Sequence, residues 1–584
     1  MDHRRPALPG LLLACLLCSA APFAAGQSSL IARQTPTGSF DLLAVDELTA
    51  SVAVAEADVD FLAVALQGVP ATEQLRLDRA RTLGGPAPAV RLPALGSLCR
   101  VGSSGWSAWL QVSTDGSTTR WVETADVGGP AVSADVAVAP DGQRALVCTT
   151  LGAGGNVWLL DLATGVPTEL TSTLPSLSVD GISLRLGPDT AWFVASGQLY
   201  RVDLPAGLPA AVPLPLGPGE ILQGELAMSR DGHTVAVVSE LTPLSRRLFI
   251  VSHTGTVTEA PGGPADFDLP SYPSIAGPLL VLSDDGSCVA WRRTVLVKEL
   301  FTFASAQPGS VQQVTADAQF TDTLDIVGVL GFIGPTVLSF FAGEAPGPLE
   351  PDVALGSADL YITDVTSGAT SNVSLTSGEA LPPFLTAGEI ELKRAFFDPQ
   401  ALRMLLQVDP DNGDHGLLAV PLDGSQGVST VLDDLVDGPT LVPVGSRLLI
   451  PSHFDTGGPG APGQQLHLLD TMGSPSPLTL LGLVPEGVQV DRFASSRDGS
   501  TMACVASAAP AFELIVWIDA TTATVFFAWP DVLAVSPALG FSPSGRLLAG
   551  LGLPGGPYVF ATFDAPLSGS LAPVPIGNGY PLNP

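Results

Sequence analysis

The chain has 584 residues, with 25 Lys or Arg against 57 Asp or Glu and a formal net charge of −32. A field of that sign repels phosphate backbones and anionic lipid, which sets aside nucleic acid and membrane surfaces as partners. The 46% apolar content can fill a large core, whereas 63 Gly and 53 Pro would break most long helices, so an all-β, turn-dense architecture is expected.

The chain opens with Arg4 and Arg5, an apolar run from Leu11 to Leu17, and the small residues Ala24-Ala25-Gly26. That layout predicts a secretory signal peptide over residues 1–26, cleaved before Gln27, and hence a periplasmic or extracellular protein. A lipoprotein would use Leu13-Ala14-Cys15, but the apolar segment between Arg5 and Cys15 is short, and Pro6 and Pro9 interrupt it. Removal of the leader leaves Cys99, Cys148, Cys288 and Cys504, too few for a disulfide framework. Three of them follow an Asp-Gly turn inside apolar strands and are read as buried hydrophobes.

Residues 27–131 carry degenerate repeats, such as Trp109-Leu110-Gln111-Val112-Ser113-Thr114-Asp115-Gly116. From 132 to 580 two kinds of hairpin alternate clearly. The first is an apolar strand, a Pro-Asp-Gly-like turn and a second apolar strand. Ala137-Val138-Ala139-Pro140-Asp141-Gly142 leads into Ala145-Leu146-Val147, and the turns at Asp231-Gly232, Asp285-Gly286, Asp498-Gly499 and Ser544-Gly545 repeat it. Asp bonds back to nearby amides, Gly accepts positive φ and Pro presets the entry, so these aspartates are expected to be structural. The second hairpin is an apolar strand ending near Asp, then a Gly turn, as in Val157-Trp158-Leu159-Leu160-Asp161 and Leu360-Tyr361-Ile362-Thr363-Asp364. Two hairpins make four antiparallel strands.

The first turns fall at Asp141, Asp189, Asp231, Asp285, Pro335, Pro399, Ser446, Asp498 and Ser544. Their mean spacing is about 50 residues, slightly above the roughly 40–45 of a WD40 blade. Ile326 to Gly343 is uncharged, but Gly328, Gly331, Gly334 and Pro335 suit two strands and a turn better than a membrane helix.

The pattern over roughly Val132 to Leu571 resembles the WD40-like repeat of TolB-type β-propellers. The resemblance implies four-stranded antiparallel blades and protein partners in the cell envelope. With the degenerate copies the chain holds about 9–11 units, more than the usual four to eight. They form either one large ring or two rings, with two favoured and a junction between about Ser305 and Asp325.

No catalytic or cofactor-binding residue is assigned. The chain lacks a G-x-S-x-G elbow, and His233, His253, His415, His453 and His467 form no metal-binding spacing. His453 and Asp455 lie close in sequence and are read as a solvated or capping pair. Asp409-Pro410-Asp411-Asn412-Gly413-Asp414 resembles a calcium loop, since hard cations take several carboxylate oxygens. It departs from the EF-hand pattern at Gly413 and Val420 and lies where a turn is required anyway, so Asp409, Asp411 and Asp414 are calcium candidates second and turn residues first. The eight tryptophans recur within strands and are assigned to packing between blades. Asn372-Val373-Ser374 matches a glycosylation sequon, relevant only in a host that has that machinery.

Two functions follow. The favoured one is an exported non-catalytic propeller that binds a protein or another extracytoplasmic ligand. The alternative is a propeller-fold hydrolase or lyase with calcium in the central channel, where ring closure gathers residues distant in sequence.

Overall fold

The alternation of apolar and polar residues, broken every few positions by Asp, Gly or Pro, leaves the chain little choice but short strands joined by tight turns. The computed structural model describes strands between Ser28 and Pro581, most turns from 131 to 260 and, beyond 372, little besides the strands. Residues 1–27, 68–89, 261–279, 345–358, 373–389 and 564–578 are among those it leaves undescribed. Among the described residues there are 44 strands and no α-helix. Leu324–Phe332 and Val337–Glu344 are two strands of one hairpin, and no described helix is long and apolar enough to cross a membrane.

The strands fall into nine sheets, almost wholly antiparallel and in chain order. Most have four strands. The third unit, for example, contains Ala131–Val138, Arg144–Leu151, Gly154–Asp161 and Val166–Glu169. Two eight-stranded sheets are each two such units joined edge to edge. One junction pairs Asp60–Leu62 with Arg100–Gly102, and the other pairs Leu435 with Ser452. Counted this way, the described strands make eleven propeller-type units, the last with three strands. Each of the nine turn positions marked in the sequence lies between the first and second strands of one unit, including Pro335, Pro399 and Ser446, which lack Asp-Gly.

Two pairings depart from the simple series. Ala65–Gln67 runs parallel to Asp135–Ala137, adding a fifth strand to the third unit. At the C-terminus, Gly579–Pro581 leaves the last unit and pairs antiparallel with Ile31–Arg33, so the first unit takes its fourth strand from the far end of the chain. An edge strand near each terminus presents unpaired N–H and C=O groups, and joining them satisfies both.

The core lies between the sheets rather than within one. Alternate residues of a strand point to opposite faces. On Arg144–Leu151, Leu146 and Cys148 join Phe193 and Tyr200 of the fourth unit, whereas Ala145 and Val147 join Trp109 and Trp121 of the second. Trp192 and Phe249 meet in the next layer, and Val238 and Trp291 in the one after. The layer made by Cys288, Ala290, Leu338, Phe340 and Tyr361 bridges residues 305–325 in the same way. Trp109, Trp121, Trp192 and Trp291 are among the largest fully buried side chains, which places them in these layers. The first strands of successive units also run side by side, from Ala131–Val138 through Arg185–Leu186 and Ile221–Met228 to Leu280–Leu282 and Leu324–Phe332.

Candidate functional site: the turn face of the repeats

Three of the first turns are closed by their aspartate. Asp141 Oδ1 accepts from the Gln143 amide at 2.9 Å, Asp231 Oδ1 from the His233 amide at 2.9 Å, and Asp285 Oδ1 from the Ser287 amide at 3.0 Å. At Asp231 and Asp285 a serine two residues earlier braces the same turn, whereas Ala139 stands at that place before Asp141. Ser229 Oγ donates to Asp231 Oδ1 at 2.6 Å and accepts from the Thr234 amide at 3.0 Å. Ser283 does the same with Asp285 and Cys288, and Ser496 Oγ accepts from Thr501. The motif is thus Ser-x-Asp-Gly, a signal present in the sequence but narrower than the Pro-Asp-Gly pattern used to find the repeats. Asp498 itself lies outside the described residues.

These bonds show in the acidities. Burial alone would raise the Asp231 and Asp285 carboxyls. At Asp231 the bonds from Ser229 and the His233 amide, and at Asp285 those from Ser287 and Ser283, outweigh burial and hold both below the usual range. At Asp364 of the second hairpin, the Thr366 hydroxyl bond is the largest cause of a similar lowering.

The second turn of a unit is tied to the first by a backbone bond that recurs from unit to unit. The Leu162 amide donates to Gln143 O at 2.9 Å, Leu204 to Asp189 O at 2.8 Å, His253 to His233 O at 2.6 Å and Val365 to Thr336 O at 2.8 Å. Further bonds cross between units. The Arg144 guanidinium donates to Pro188 O, Trp192 Nε1 to Gly232 O at 2.9 Å, and the Arg230 amide to Asp284 O at 3.2 Å. Both turns of these units therefore share one face, and the turns of the third to sixth units touch in series. Asp141, Asp231 and Asp284 project from it, each with about half or more of its side chain exposed.

The opposite end of the fifth unit is held by paired charge. The Arg247 guanidinium lies 2.6 Å from Glu259 and 3.0 Å from Glu220, over the Phe249 ring at 4.8 Å. Bonding to Glu259 first, and then to Glu220, raises its already high pKa. With both acids engaged, this arrangement is a fastener.

In the fifth unit alone among those four linked turn pairs, both linked residues are histidines. The His233 and His253 ring centroids stand 4.4 Å apart, and Asp231 Oδ2 is 3.4 Å from His233 Nδ1. His253 is exposed and His233 half-buried. Sequence reasoning treated the histidines singly and missed this pair. The available signal was positional: His233 stands two residues after the turn Asp, and His253 heads the second turn of the same unit.

The other candidates are placed as follows. Asp409 lies in Arg403–Pro410, opposite Glu391 across the strand pair, while Asp411 and Asp414 lie outside the described residues. His415 begins the strand His415–Pro421, and His453 lies in Arg447–Phe454; Asp455 is not described. His467 is buried, which lowers its pKa. Cys99, Cys148, Cys288 and Cys504 are buried thiols, none of them in a disulfide. Asn372 ends the outer strand Thr370–Asn372. Among the described residues no three His, Cys, Asp or Glu side chains are grouped to hold one metal ion.

No family model and no curated protein matches the chain. Among solved structures, an oligogalacturonate lyase from Vibrio parahaemolyticus is 14% identical over 54% of this chain and 84% of its own, with a TM-score of 0.31. Dipeptidyl peptidase 4 from Porphyromonas gingivalis is 9% identical over 83% and 65%, with a TM-score of 0.37. TolB from Acinetobacter baumannii is 12% identical over 60% and 80%, with a TM-score of 0.22.

Proposed function

We propose that the chain is an exported, non-catalytic β-propeller that uses its turn face to bind a protein or another extracytoplasmic ligand. The observation that carries this reading is the hydrogen-bonded series of turns from Asp141 to Asp285, which makes a pre-ordered surface and so lowers the entropy cost of binding. The exposed carboxylates and the net charge of −32 favour a basic partner surface. The pairing of Gly579–Pro581 with Ile31–Arg33, and the unbroken apolar layer across 305–325, support a single run of units over two separate rings.

Export is tested by N-terminal sequencing of protein recovered outside the cytoplasm, where a chain starting at Gln27 is expected and a diacylated Cys15 would overturn the assignment. Binding is tested with a photo-crosslinking residue placed in turn at Gln143, at Asp284 and at Ile221, which is exposed at the opposite end of the fifth unit, beside Glu220. A discrete adduct from the two turn positions, suppressed by raised salt, is the expected result. Equal yields from Ile221, or no adduct at any position, would remove the turn face as the binding surface.

A further inference from the structure

We propose that His233 and His253 form a two-imidazole clamp for a divalent transition metal that favours ligands at right angles, copper(II) or nickel(II). The pair is built by the fold. The bond from the His253 amide to His233 O, 2.6 Å long, is the same link that joins Leu162 to Gln143, Leu204 to Asp189 and Val365 to Thr336 in other units. Those units place an apolar residue at the second position. The fifth unit instead sets two imidazoles at one reinforced point, 20 positions apart in sequence.

The distance suits chelation. An imidazole nitrogen holds a metal at ~2 Å, so the ion stands roughly 3 Å from the ring centroid. Two centroids 4.4 Å apart then subtend about a right angle at a shared ion. A tetrahedral ion such as zinc would ask for a wider angle, whereas tetragonal copper(II) or nickel(II) accepts adjacent ligands at this one. The rings are tilted by 36°. Turning a ring about its Cβ–Cγ bond leaves its centroid almost in place, so each nitrogen can be aimed while the spacing stays fixed.

The surroundings fit a cation. Asp231 Oδ2, 3.4 Å from His233 Nδ1, is positioned to hold a proton on that nitrogen and leave Nε2 for the metal. Asp231 is itself held in place, its Oδ1 accepting from Ser229 Oγ at 2.6 Å and from the His233 amide at 2.9 Å. Arg230, the adjacent cation, lies 3.7 Å from Asp284. Water completes the coordination shell, consistent with the exposure of His253.

The test is titration of leader-free protein, beginning at Gln27, with copper(II) and nickel(II), read by calorimetry and by electron paramagnetic resonance of the copper form. One site per chain is expected, with the signature of two imidazole nitrogens on copper. His233→Gln and His253→Gln should each weaken binding at least tenfold and leave a single imidazole in the spectrum, while the double variant shows no site. Melting temperatures of the metal-free variants should match that of the parent, which separates lost ligands from lost fold. Unchanged affinity in either single variant, or one nitrogen in the parent spectrum, overturns the proposal. Tighter binding of zinc than of copper overturns its geometric part.

Discussion

The indole Nε1 of Trp192, in the fourth unit, donates to the carbonyl of Gly232 in the turn of the fifth, at 2.9 Å and buried from water. One side chain thus fills the apolar layer between two sheets and fixes the turn of the next unit relative to its own strand. Replacing it with Phe keeps most of the ring and removes the donor, leaving a buried carbonyl short of a partner. Trp192→Phe is expected to cost about 1–3 kcal/mol, read as a lower denaturation midpoint with an unchanged slope. A loss of only a few tenths would mean that the indole packs but does not tether.

Gly232 has φ +77°, and a Cβ there would lie 2.9 Å from the Gly187 Cα of the neighbouring turn. Gly165 has nearly the same backbone, φ +78°, yet its Cβ would meet nothing within 4 Å. Gly165→Ala should therefore cost only the left-handed backbone penalty of roughly 1–2 kcal/mol. Gly232→Ala should cost clearly more, because two turns must also separate. Equal losses in parallel denaturation curves would show that the inter-unit contact carries no weight.

Asp364 illustrates the pH dependence of the turns. Its carboxylate accepts from the Thr366 hydroxyl at 2.6 Å and from the amides of Thr366 and Ser367, which lowers its pKa in the folded state. The unfolded chain, with a carboxyl pKa of roughly 3.9, takes up its proton first as the pH falls. Its contribution is therefore full above that value and is lost as the pH drops through the lower folded pKa. Thermal melts of Asp364→Asn between about pH 6 and pH 3 should show a shallower acid-side decline than the parent. A parallel decline would assign the acid sensitivity to other groups.

The thiols should be silent in the native protein. Burial pushes the Cys99 thiol up to about 12, and burial is also the main cause of the rise at Cys288. A thiol reagent at about pH 8 is expected to label none of the four in folded, leader-free protein and all four once it is unfolded. Rapid native labelling of any one would identify an exposed, reactive site.

The sequence by itself determined the units. Alternating apolar positions and Asp-Gly chemistry act within a few residues, so the first turns could be marked without knowing what lay beside them. This held even at Pro335, Pro399 and Ser446, where the flanking strands alone carry the signal. The buried places of Trp109, Trp192 and Trp291 follow from the same alternation. Tertiary structure decided what depends on distant edges meeting. Ile31–Arg33 finds Gly579–Pro581 across nearly the whole chain, and Ala65–Gln67 runs parallel to Asp135–Ala137. An unpaired strand edge can join many partners, and nothing local specifies which one it takes. The His233–His253 pair belongs to the same class, for its components are ordinary turn residues until a backbone bond between two turns places their rings 4.4 Å apart.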